Sequence, residues 1–110
     1  MMASGRRWTV RDRHNNEVYL TYERWEHITD PINHPEMTAY EAHLRDTIRS
    51  GQRQQDPLQP QKYWHMKVFG DLAAENTHLV PIVLCRFSEG QGGRPGPNNY
   101  IVTAYQQEIG

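Results

Sequence analysis

The chain has 110 residues, enough for one compact domain with a single core and too few for two. With 36% hydrophobic residues, that core must be small and draw on 3 Trp and 6 Tyr for buried area. The formal net charge is -1, from 12 Lys plus Arg against 13 Asp plus Glu, which excludes the strong overall basic field of many nucleic-acid binders. Any RNA site has to be a local patch. Cys85 is the single cysteine, so no internal disulfide forms, which fits a reducing compartment. The longest apolar run, Leu79 to Cys85, is too short to cross a bilayer, and the expectation is a soluble, cytoplasmic protein with no membrane partner.

In chain order, residues 1–7 read as a flexible N-terminal extension of one domain spanning 1–110. Trp8 to Arg13 and Glu17 to Thr21 alternate around a His14-Asn15-Asn16 turn, the pattern of a β-hairpin. Thr21 then caps a short helix, Tyr22 to Thr29, in which Tyr22, Trp25 and Ile28 form an apolar stripe. His27 points away from that stripe, on a face shared with Glu23 and Arg24. Pro31 and Pro35 disfavour helix at Asp30 and His34, so two histidines flank a forced break. An ordinary polar helix face and turn explain those histidines as well as a site does.

A second helix follows to Gly51, with Thr38 and Glu41 as a capping box, Tyr40, Leu44 and Ile48 on one stripe, Glu41 placed to pair with Arg45, and His43 on the solvated side. Gln52 to Gln61 reads as a polar surface loop. From Lys62 the period becomes two: Trp64, Met66 and Val68 form the expected core face of a strand, and Tyr63, His65, Lys67 and Phe69 the outer face. That outer set suits phosphate contact and base stacking, and it equally suits an ordinary solvated surface. Leu79 to Phe87 is an apolar central strand blemished by Pro81, Ser88 to Asn99 a mobile Gly- and Pro-rich loop, and Tyr100 to Tyr105 the last strand, with Thr103 and Tyr105 on one face.

The six histidines show no H-x-x-x-H pair, and no G-x-S-x-G is present, so neither a structural zinc site nor a serine hydrolase is indicated. No cofactor is expected. What remains is a set of His, Arg, Lys, Thr and Tyr suited to cleaving RNA through its neighbouring 2′-hydroxyl, where the nucleophile belongs to the substrate.

The order hairpin, R-W-E-H-I, H-P-E-M, capped second helix, apolar strand ending in Arg86, and terminal I-V-T-A-Y resembles the phage-associated branch of the barnase, EndoU, colicin and RelE-like nuclease superfamily, from about Val18 onward. The resemblance implies an α+β fold, with the N-terminal hairpin and two helices packed on one face of a small, mainly four-stranded antiparallel sheet. It further implies a metal-independent, toxin-type endoribonuclease of a phage or mobile element, with RNA as substrate and a cognate antitoxin or immunity protein as a partner. Carried across residue by residue, it points to His27, Arg86, Thr103 and Tyr105 as catalytic, and H-P-E-M adds His34. Lys67, from the strand face, joins Arg24, His34 and His65 as expected substrate contacts. The alternatives are an RNA-binding module without cleavage, and a phage or mobile-element interaction protein with a degenerate nuclease fold.

Overall fold

A computed structural model describes residues 5–89 and 91–109. Strand β1 (Arg6–Arg11) turns back through Asp12 to Asn16 into β2 (Glu17–Thr21). The Asp12 carboxylate holds this turn by accepting from the backbone N–H of His14 at 2.9 Å and of Asn16 at 2.8 Å. β1 thus begins inside the stretch read as an N-terminal extension, while residues 1–4 lie outside the described residues. Helix α1 (Tyr22–Thr29) is capped by Thr21, whose hydroxyl accepts from the Arg24 N–H at 3.0 Å. It buries Trp25 and Ile28, and ends where Pro31 forces Asp30 into extended backbone.

The second helix departs from expectation at its start. A 3-10 turn (Pro35–Tyr40) leads directly into α2 (Glu41–Ser50), and no side chain caps α2. Glu41 is drawn elsewhere: its carboxylate takes the Arg7 guanidinium on both oxygens and the Trp8 indole N–H at 2.9 Å. A bidentate charge-assisted pair is stronger than a bond to a neutral backbone N–H, so the capping box and the Glu41–Arg45 pair both give way.

The sheet has six strands in the order β1-β2-β6-β5-β4-β3, adding β3 (Gln52–Gln55), β4 (Lys62–Val68), β5 (His78–Glu89) and β6 (Pro95–Gln107). This corrects the expected four-stranded antiparallel sheet in two respects. β3 lies within the expected polar loop, because an edge strand reading Q-R-Q-Q carries no apolar alternation to betray it. The hairpin joins the sheet through a parallel ladder, Val18 beside Asn99 and Tyr19 beside Tyr100, so the sheet is mixed. The expected mobile loop Ser88 to Asn99 is mostly strand as well, with Gly92 and Gly93 at φ 70° and 75° making the reversal.

Both helices pack on one face, around Val18, Leu20, Trp25, Ile28, Met37, Leu44, Ile48, Leu79, Val83, Ile101 and Ala104. The faces of β4 are the reverse of those expected. His65 is buried and Lys67 reaches α2, whereas Trp64 and Met66 line a depression on the open face with Val80 and Tyr105. Period two tells which residues share a face, not which face a helix will cover. Pro81 leaves its mark: the β4–β5 register runs through Trp64 with Ile82 and resumes at Lys67 with Leu79, skipping the positions between. Among the described residues, no helix is long and apolar enough to cross a membrane.

Candidate active site at the free edge of β6

β2 ends at Thr21, two residues past its pairing with Tyr100, while β6 runs on to Gln107. The final part of β6 is therefore paired with β5 alone, with no strand on its β2 side, and α1 and the 3-10 turn pack against β6. The connection from α1 is pinned at several points. Asp30 accepts from the Ile32 N–H at 3.0 Å with its side chain and from the Asn33 N–H at 2.8 Å with its carbonyl. The Asn33 amide donates to the His27 carbonyl at 2.8 Å, and the His34 N–H donates to the Ile28 carbonyl at 2.9 Å. Met37, fully buried, anchors the far side.

This loop brings the His34 ring to 6.0 Å from the ring of Tyr105, between centroids. Behind it, Glu36 places a carboxylate oxygen 3.5 Å from His34 Nδ1. That separation is longer than an ordinary hydrogen bond, and it leaves Nε2 as the ring nitrogen away from the carboxylate. Thr103 lies two residues before Tyr105, so both side chains project to the open face about 7 Å apart. There Trp64 sits beside Tyr105, and the Lys62 ammonium lies 5.3 Å above the Trp64 ring. The arrangement offers an imidazole, a phenol and a hydroxyl along one rim, with an aromatic platform and a cation next to it.

The other expected site residues fall elsewhere. His27 is exposed on α1, and no ring hydrogen bond ties it to Glu23 or Arg24 among the described residues; Arg24 is half-buried on the same helix. Arg86 pairs with Asn98, six residues along β5 from Val80, the partner of Tyr105, which is about 20 Å away at strand rise. Lys67 donates to Asp46 and to Ser50 of α2, both at 2.7 Å. His65 is 2% exposed, and burial pushes its pKa down to about 4, so it is a neutral ring within the fold and not a phosphate contact. His43 is no solvated bystander either, since its Nε2 lies 2.9 Å from an Asp71 carboxylate oxygen and its ring packs on Phe69.

Of the residues expected from the sequence, the fold brings His34, Thr103 and Tyr105 to this edge, and it sets beside them Glu36, Trp64 and Lys62, which were not among the expected site residues. Glu36 was legible as the acid of H-P-E, two residues after the histidine. Trp64 was assigned to the core through the inverted face. Among the described residues, no group of three or more His, Cys, Asp and Glu gathers to hold a metal ion. Compared with family models, curated proteins and solved structures, the chain matches none of them.

Proposed function

We propose that the protein is an endoribonuclease that cleaves RNA through the neighbouring 2′-hydroxyl, without a metal ion, at the free edge of β6. The observation that carries this reading is the meeting of His34 and Tyr105, 71 residues apart in sequence, with Glu36 behind the imidazole. His34 replaces His27 as the proton carrier, because His34 is the histidine with a carboxylate near Nδ1 and a phenol in front of it. In the reaction the 2′-oxygen attacks phosphorus and the bond to the 5′-oxygen breaks. His34 Nε2 takes the 2′-hydroxyl proton, Tyr105 supplies a proton to the departing oxygen, and the Thr103 hydroxyl donates to the developing phosphorane. Trp64 and Lys62 would hold an adjoining base and its phosphate.

The test is cleavage of pooled RNA with EDTA present. The expected products carry 2′,3′-cyclic phosphate and 5′-hydroxyl ends. His34→Gln should lose about 10²- to 10⁴-fold in rate with the fold intact, and Thr103→Val with Tyr105→Phe should lose rate with little change in RNA affinity. His27→Gln should stay near the parental rate. Activity that disappears on chelation and returns with a divalent ion would rule the mechanism out. RNA binding without turnover in the parent would favour a binding module that uses the same open face.

A further inference from the structure

The alternation of β6 is broken once. Ile82 pairs with Thr103 but Val83 pairs with Ile101, so Val102 is an extra residue bulged out of the ladder. On either side of it Ile101 and Ala104 are both buried in the core, and Tyr100, three residues before Thr103, comes to the same open face as Thr103 and Tyr105. Unbroken period two would set Tyr100 and Thr103 on opposite faces. With the bulge, a row of side chains crosses five strands on the open face: Lys62 opposite Leu84, Leu84 opposite Tyr100, Tyr100 beside Tyr19, and Tyr19 opposite Thr9. Between this row and Thr103 lies a depression of about 210 Å³, lined by Gln59, Lys62, Ile82, Leu84, Val102 and Thr103.

At its far end the row is aromatic and cationic. The Tyr19 and Tyr100 rings are 6.0 Å apart between centroids, and the Arg6 guanidinium lies 3.9 Å over the Tyr19 ring. The Tyr19 hydroxyl donates to the Asn98 side chain at 2.7 Å, which fixes the ring. Arg86, exposed, stands opposite Asn98 and two residues past Leu84, on the same face. Of the charges on or beside this part of the sheet, Arg11 is taken by Glu17 at 3.1 Å and Lys62 has Asp56 at 3.9 Å, whereas Arg6 and Arg86 have no carboxylate partner among the described residues. The uncommitted charge is positive. Fixed rings beside free guanidinium groups are what an unpaired strand needs, rings for its bases and cations for its phosphates. We infer that this row is the track of single-stranded RNA beyond the cut bond, with one base in the depression beside Thr103, the next on Tyr100, and the neighbouring phosphates held by Arg6 and Arg86. The inference rests on the ribonuclease reading for the identity of the strand and for its start at Thr103, from which Tyr100 is about 10 Å away at strand rise. It makes Arg86 a binding residue, remote from the reacting phosphate.

The experiment uses the whole chain and ligands that lack the 2′-hydroxyl, so that binding is read without turnover: a mixed-sequence oligodeoxynucleotide and its duplex, each followed by calorimetry. The parent should bind the single strand more tightly than the duplex. Tyr100→Val keeps the strand preference and removes the ring, and should weaken the single strand at least about fivefold, the lower end of what one stacked base contributes. Arg6→Gln and Arg86→Gln should each lower the salt slope of that binding by about 0.7, the share of one single-strand phosphate. Both arginines are exposed, so their variants stay informative if Tyr100→Val folds poorly. Single-strand binding that is unchanged in all three variants, or absent from the parent at millimolar concentration, overturns the track; a duplex bound as tightly as the single strand overturns its assignment to unpaired RNA. A parent that sediments as a dimer and is split by Tyr100→Val would give the face to a second copy of the chain, and overturns the track as well. Binding that follows these expectations while the parent leaves RNA uncut counts against the ribonuclease and leaves the track standing. RNA cut by a parent whose affinity none of the variants changes does the reverse.

Discussion

His65 shows how burial alone decides what a titratable side chain is for. It sits in β4 opposite Arg53 with its Nδ1 buried and unpartnered, and desolvation outweighs the attraction of the Asp12 carboxylate, so protonation is deferred to about pH 4 from the ordinary 6.5. A histidine depressed in this way binds its proton in the unfolded chain first. The stability it confers is complete above pH 6.5 and is lost as pH falls from there towards 4, an effect on the order of 3 kcal/mol. Thermal midpoints taken between pH 7.5 and 4.5 should therefore fall steeply for the parent and much less for His65→Leu, which should be no less stable at neutral pH. An equal fall in both would assign the acid sensitivity to other groups. The carboxylates of Glu41 and Asp46, held low by Arg7 and Lys67 respectively, act in a separate window, since their contribution is present above the ordinary carboxylate range and is lost only as pH falls below it. None of this is visible in the alternation of β4, which groups His65 with Lys67 correctly but cannot say that helices will cover that side.

At the scale of elements, the junction of α2 with β3 turns on Gly51. Its backbone is ordinary, with φ -72° and ψ 168°, but a Cβ there would meet the Thr47 carbonyl at 2.5 Å and the Met66 carbonyl at 2.7 Å. The glycine is there for space, and not for a left-handed conformation. Gly51→Ala has to push α2 away from β4 and should cost roughly 1–3 kcal/mol in denaturant unfolding, with the Lys67 contacts to Asp46 and Ser50 loosened. An unchanged midpoint would mean that the junction yields without resistance. Helix limits of this kind were readable: Thr21, Pro31 and Gly51 mark ends that the fold respects. β3 was not, because its residues are polar on both faces and only its neighbour β4 makes them a strand. The site was readable in part for a similar reason. H-P-E-M and V-T-A-Y are local words, whereas their meeting depends on β6 outrunning β2, which is a property of strand order.

Across the whole molecule, the N-terminal hairpin is attached to the rest by its core residues Val18 and Leu20, by the short parallel ladder with β6 and by the clasp of Arg7 and Trp8 on Glu41, among other contacts. Removing the clasp should loosen one entire unit. Glu41→Ala is expected to cost about 1–3 kcal/mol and to speed amide exchange through residues 6–21, with β5 and the middle of β6 little affected. Exchange that rises evenly over the sheet would show the hairpin to be held chiefly by its core residues, Val18 and Leu20.

The strand order also governs what this sheet can do in a crowd. Its two longest strands, β5 and β6, lie inside, while the outer positions go to R-R-W-T-V-R and Q-R-Q-Q, short or charged stretches that make poor templates for a neighbour's backbone. The stretch of β6 beyond β2 is the exception, an unpaired border within an otherwise guarded sheet, and α1 with the proline-flanked His34 loop stands over it. Beside the role proposed for them, those residues form the cover that keeps the chain from polymerising edge to edge. A lesion that frees this loop would then endanger solubility as well as the turnover proposed for this edge.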